Sequence, residues 1–167
     1  MKIRFASFLL FTIIISSNIS FAQLTAEPNS IFIEGAGNGG LYSINYDRLL
    51  TNNLSCRIGY SYLEILSAQI STYPFLVNYL YGENSSKIEI GLGIMLINIS
   101  VSTELTNLPP VLSISTTLVT GAFGYRYQQK DGGIIFRADI TPFYYLRSDI
   151  STKRFILSGG ISLGYTF

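Results

Sequence analysis

Arg154-Phe-Ile-Leu-Ser-Gly-Gly-Ile-Ser-Leu-Gly-Tyr-Thr-Phe167 closes the chain by alternating bulky apolar residues with small or polar ones. Side chains of a strand point to opposite faces with period two. Phe155, Leu157, Ile161, Leu163, Tyr165 and Phe167 therefore share one face, and Ser158, Gly160, Ser162, Gly164 and Thr166 share the other. The fold turns on which of these faces meets water and which meets an apolar medium.

The same pattern recurs upstream. Pattern and turn chemistry mark eight strand candidates, at 31–37, 40–48, 54–64, 70–81, 86–98, 115–128, 134–146 and 154–167. Between them, Asn38-Gly39-Gly40, Thr51-Asn52-Asn53, Gly82-Glu83-Asn84-Ser85 and Lys130-Asp131-Gly132-Gly133 are dense in residues that tolerate positive φ. In the fifth candidate Ile88, Ile90, Leu92, Ile94 and Leu96 oppose Lys87, Glu89, Gly91, Gly93 and Met95. In the seventh, Ile134, Phe136, Ala138 and Ile140 oppose Arg137, Asp139 and Thr141. Helical periodicity is absent, so the fold class is all-β.

A soluble barrel would show this alternation too, with its apolar face turned inward. Three features point the other way. Only 13% of the chain is charged, against about 25 to 35% for the surface of a small soluble domain. The face opposite the bulky one is mostly Gly, Ser and Thr, a poor coat for water. Tyr and Phe supply 12 and 11 residues, and tyrosines cluster toward strand ends, as at Tyr42, Tyr46, Tyr60, Tyr62, Tyr79, Tyr81, Tyr125, Tyr127, Tyr144 and Tyr145, where a ring with a polar tip suits a membrane interface. Beyond the first residues no apolar run reaches the roughly 18 residues of a spanning helix, so a span must be made of strands. The expected fold is an eight-stranded antiparallel transmembrane β-barrel.

The beginning of the chain fits export. Met1-Lys-Ile-Arg4 is basic, the run 5–15 is apolar, and Ser20 and Ala22 occupy the small positions before a cut ahead of Gln23. Residues 1–22 read as a signal peptide, leaving 23–167 as the barrel domain. Losing Lys2 and Arg4 turns the formal charge of +1 slightly negative, which gives no basis for a nucleic-acid partner. A first strand running outward from the periplasm makes the connections near 49–53, 82–85 and 129–133 short periplasmic turns. It makes 99–114, with Pro109-Pro110, and 148–153 outer loops. The tight outer connection 38–40 departs from that pattern.

With the small face inward, Glu34, Asp47, Glu89 and Asp139 share the lumen with Arg57, Lys87, Arg126 and Arg137. An eight-stranded barrel is just wide enough for side chains to fill. The four acids and four bases are therefore expected to pair across it as a structural network, a gated polar path or a binding site being the functional alternatives. The chain has no histidine, so a Ser–His–acid triad cannot form. Asp139 or the Ser148-Asp149 pair would have to act alone, and a solvated turn is the plainer reading of the latter. No catalytic, cofactor or metal site is assigned. Cys56, the one cysteine, is expected to face lipid as a small apolar residue. Pro74 and Pro142 are expected at a bulge or an unpaired position near a rim, because proline removes a ladder donor.

The segment 160–167 resembles the signal that outer-membrane assembly machinery reads, with Gly160, Tyr165 and Phe167 at its glycine and aromatic positions and Ser162 where glycine is usual. The chain from 30 onward also resembles the small, uncharacterised outer-membrane β-barrel proteins of OmpA and OmpX architecture, through an early hairpin at 38–46 and a late one at 124–137. The resemblance implies location in a Gram-negative outer membrane. It also implies contact with outer-membrane lipid and lipopolysaccharide, insertion by the assembly machinery, and a monomer. A structural or adhesive role through the outer loops follows, with a narrow pore or a lipid-acting enzyme as alternatives.

Overall fold

The computed structural model describes residues 24, 26–101, 112–146 and 155–167. The signal segment 1–22, most of the loop carrying Pro109-Pro110, and the loop 148–153 with Asp149 lie outside the described residues. Eight antiparallel strands close into one barrel: β1 (Asn29–Gly35), β2 (Tyr42–Thr51), β3 (Leu54–Ile65), β4 (Ala68–Tyr81), β5 (Ser86–Val101), β6 (Leu112–Gln128), β7 (Gly133–Tyr145) and β8 (Phe155–Thr166). Each strand pairs with its sequence neighbours, and β1 closes on β8 from Ser30↔Thr166 to Gly35↔Ile161. Closure leaves no sheet edge through the barrel wall, which is what strand-made membrane spans require. The end with the connections 52–53, 82–85 and 129–132 is called the turn end, the opposite one the loop end.

The bulky faces point outward. Leu92 is 68% exposed, Ile161 65%, Leu163 62% and Ile90 51%, while Ser30, Glu34, Ser43, Asp47, Arg126 and Thr166 are at 0%. This inverts the arrangement of a soluble protein, and only an apolar surround makes it favourable. Outward-facing tyrosines and Phe ring both ends: Tyr42, Tyr60, Tyr62, Tyr144 and Phe155 toward the loop end, and Tyr79, Tyr81, Tyr125, Tyr165 and Phe167 toward the turn end. Along β8, Phe155 to Tyr165 covers about 34 Å of strand, which a tilt of about 40° lowers to about 26 Å, close to the apolar band of about 25 Å on such barrels. Cys56 lies on this wall, half-buried and unpaired with sulfur, opposite Arg48 and Val77.

Neither proline sits at a bulge or a rim. Pro74 is mid-strand, and the β3–β4 ladder passes from Ile58↔Phe75 to Ser61↔Thr72 with its register unchanged. Pro142 sits in a similar gap between Thr120↔Phe143 and Phe123↔Ile140. In both gaps a glycine faces the ring: a Cβ on Gly59 or Gly121 would run into the Cγ of Pro74 or Pro142. Tyr60 and Tyr73 pack at 5.2 Å between centroids across the first gap. The barrel thus absorbs each missing donor by omitting ladder bonds beside a glycine. The register shifts elsewhere, between Leu49 and Thr51 at the turn end.

Strand length rises from 7 residues in β1 to 17 in β6 and falls to 12 in β8. β5 and β6 run past the expected limits of 98 and 115 and stay paired to Val101↔Leu112. The β2–β3 ladder stops at Ile44↔Tyr60 and the β6–β7 ladder at Leu118↔Tyr145. The ends of β3 to β6 therefore rise as a sheet beyond the rest of the wall.

Candidate functional site

Buried side chains line the lumen from strand to strand, and period two explains how. Inward positions of β1 carry Ser30, Phe32 and Glu34; those of β2 carry Ser43, Asn45, Asp47 and Leu49; those of β7 carry Ile135, Arg137, Asp139 and Thr141.

Three arginines organise the interior. Arg57 pairs with Glu34 and donates from Nε to Asn45 Oδ1 at 2.9 Å. Arg137 forks onto Glu89, Nε to Oε2 at 2.9 Å and Nη2 to Oε1 at 2.7 Å, and lies 3.7 Å from Asp139. Arg126 donates from Nη2 to Asp47 Oδ1 at 2.7 Å and to Gln128 Oε1 at 2.7 Å, with Glu89 at 3.9 Å. Ser55 and Asn78 add donors to Asp47 at 2.9 and 3.3 Å. In so enclosed a place an unpaired charge would be costly, and pairing with surrounding hydrogen bonds offsets part of the loss of water, while Glu34 Oε1, Arg57 Nη1, Arg137 Nη1 and Asp139 Oδ2 find no hydrogen-bond partner among the described residues. Charge-assisted and bidentate contacts are the stronger kind and also fix geometry.

Lys87 stands apart from this network, contrary to its expected place in it. It is the second residue of β5, at the turn end, and its amine donates to the Asn52 carbonyl at 2.7 Å. Among the described residues four carboxylates thus meet three guanidiniums, and Asp139, held by Thr141 at 2.9 Å, has the loosest pairing.

Apolar side chains also enter the lumen. Phe32 lies at its centre, 1% exposed, with the guanidinium carbons of Arg57 and Arg137 at 5.2 and 4.8 Å from its ring centroid. Met95, Leu118 and Phe143 pack together toward the loop end with Ile97 and Tyr145 beside them. Leu76, Leu80 and Ile135 are equally enclosed.

The connection 36–41 explains its own tightness: it folds inward. Asn38 is fully buried, with its Oδ1 against the Thr120 hydroxyl. Thr72 donates to the Gly39 carbonyl at 2.7 Å, Ser158 to the Ala36 carbonyl at 2.8 Å, and the Gly39 N–H points to Glu34 Oε2 at 3.4 Å. Strands β1, β4, β6 and β8 thereby hold one short segment across the loop end as a stopper. The reversal needs positive φ, 57° at Ala36 and 91° at Gly40, the latter cheap only for glycine. Gly160 belongs here too: a Cβ on it would strike Gly37 Cα. Tyr165 and Phe167 are 60% and 48% exposed on the outer wall.

No protein-family model matches the chain, and neither does any curated protein sequence. Solved structures do match by shape. The N-terminal β-barrel domain of OprF from Pseudomonas aeruginosa superposes with a TM-score of 0.62 at 13% identity, over 86% of this chain and 98% of that one. Neisserial surface protein A gives 0.54 at 16% identity, over 82% and 92%. The fold is that of the small outer-membrane β-barrels. In this barrel the inward stopper, the central Phe32, and the amides Asn45, Asn78 and Gln128 carry no local motif. Parity alone could have placed the ring and the amides, though not the stopper: Phe32 falls between Ser30 and Glu34, and Gln128 two residues past Arg126.

Proposed function

We propose that the chain is exported by its signal segment 1–22 and, as residues 23–167, resides in the outer membrane of a Gram-negative bacterium. There it serves as a structural or adhesive surface protein. The turn end faces the periplasm and the loop end the exterior. One observation carries this reading: a lumen closed by paired side chains and a stopper, beneath a sheet that rises past it.

A barrel filled in this way is a rigid anchor, which speaks against the alternative of a narrow pore. Its projecting sheet offers backbone groups to a partner. Among the described residues, 112–117 of β6 have no strand against them on the β7 side, and 63–65 of β3 have none on the β2 side. Such edges accept an added strand. The outward wall contacts lipid, with lipopolysaccharide around the loop end, and the assembly machinery reads Gly160, Tyr165 and Phe167. The absence of histidine from the sequence disfavours the lipid-acting enzyme.

Two measurements test the reading together. A membrane-impermeant maleimide should label Ser115→Cys on intact cells while sparing the wild type, whose Cys56 lies within the apolar wall. The purified protein should leave planar bilayers non-conducting. Labelling only after the cells are opened, or steady ion conductance by the wild type, would overturn it.

A further inference from the structure

We infer that the turn end of the barrel binds a phosphate group. A recess of about 780 Å³ opens there, lined by Lys87, Lys130, Asn52, Asn84 and Gln128 among others. That volume lies within the range of about 300 to 1,000 Å³ typical of small-ligand sites. Gln128 on its lining touches the buried ion network, its Oε1 accepting from Arg126.

The charges on this recess do not balance. The ion pairs of the described residues join Glu34, Asp47, Glu89 and Asp139 to Arg57, Arg126 and Arg137, and none reaches Lys87 or Lys130. The charged groups acting on the Lys87 amine are Arg126 and Lys130, both cationic. Arg126 is already engaged by Asp47. The Lys87 ammonium carries three donors, of which the Asn52 carbonyl takes one and fixes the head in place. Among the described residues Glu83 is the one acid on the lining. Two lysines against one glutamate leave a local positive field that a compact anion with several acceptor oxygens would satisfy.

Position narrows the anion to phosphate. Tyr79 and Tyr81 border the recess and belong to the turn-end aromatic ring, 51% and 67% exposed. Such rings sit at headgroup level, so the recess opens where phosphate is the prevailing anion of a membrane. A phospholipid headgroup and a soluble phosphate ester share that chemistry. The site does not depend on the surface role proposed above.

Titration calorimetry on the full barrel in dodecyl maltoside, at constant ionic strength, tests it with three probes: inorganic phosphate, glycerol 3-phosphate and dihexanoyl phosphatidylglycerol. At least one phosphate probe should bind saturably, and Lys87→Gln/Lys130→Gln should weaken it tenfold or more. Tighter binding of the lipid than of the soluble probes assigns the site to a headgroup, and equal or weaker binding assigns it to a soluble ester. Absence of binding by every probe, equal binding of chloride, or unchanged affinity in the double variant would overturn the inference. Heat-modified gel migration reports folding. If the double variant does not fold, Lys130→Gln alone should weaken binding about threefold, and unchanged affinity there would overturn the inference equally.

Discussion

Arg137 holds its guanidinium carbon 4.8 Å from the centre of the Phe32 ring while its fork engages Glu89. Arg57, paired with Glu34, meets the same ring at 5.2 Å. One aromatic side chain thus joins two ion pairs that stand on different walls of the barrel. The negative face of a ring attracts a cation, by about 2 kcal/mol when both are shielded from water.

Replacing Phe32 should therefore cost more than its volume. Phe32→Ala is expected to destabilise the barrel by about 3 to 5 kcal/mol, read as a lowered urea midpoint in detergent micelles. Phe32→Leu, which keeps much of the bulk and loses the ring, should fall between that variant and the wild type. A loss under about 1 kcal/mol for Phe32→Ala would contradict the central place of the ring.

Arg137→Ala should be nearly as damaging, by about 3 to 5 kcal/mol, because it leaves Glu89 enclosed with Arg126 at 3.9 Å as its remaining cation. Removing that charge as well should recover part of the loss. Arg137→Ala/Glu89→Gln is expected to cost less than the sum of the single changes by roughly 1 to 3 kcal/mol, measured as a double-mutant cycle on the same midpoints. Strict additivity would show that the pair does not act as a unit.

The inward connection depends on hydroxyls that reach it from the wall. Thr72→Val and Thr120→Val each remove one bond to residues 38 and 39, at about 1 kcal/mol apiece. Their combination should speed amide exchange at Gly39 and Gly40 while amides of β5 stay protected. Exchange that rises equally throughout the barrel would mean that the segment is not held separately.

Much of this was legible because period two is a strict rule. Parity assigned Glu34, Asp47, Glu89 and Arg137 to one side and Ile90, Phe136 and Leu163 to the other, and the strands follow that division. Phe32 escaped because an aromatic ring reads as a wall residue, and its value lies in two arginines far away in sequence. The stopper escaped because Asn38-Gly39-Gly40 reads as an ordinary turn; only Thr72 and Thr120, on other strands, draw it inward. Lys87 shares its parity with Glu89 but lies one residue from the start of its strand, where a long side chain reaches the mouth before it reaches the network. Pro74 and Pro142 were misplaced because the glycine that accommodates each lies on the neighbouring strand.

The chain contains no tryptophan, which makes single-tryptophan reporters unambiguous and gives the most direct measurement of which face meets lipid. In liposomes containing brominated phospholipid, Leu92→Trp and Ile161→Trp should emit at short wavelength and be strongly quenched by the bromine. Leu76→Trp, inside the lumen, should escape that quenching. Leu92→Trp and Ile161→Trp unaffected by bromolipid but quenched by aqueous iodide would contradict a bulky face in hydrocarbon around a filled interior.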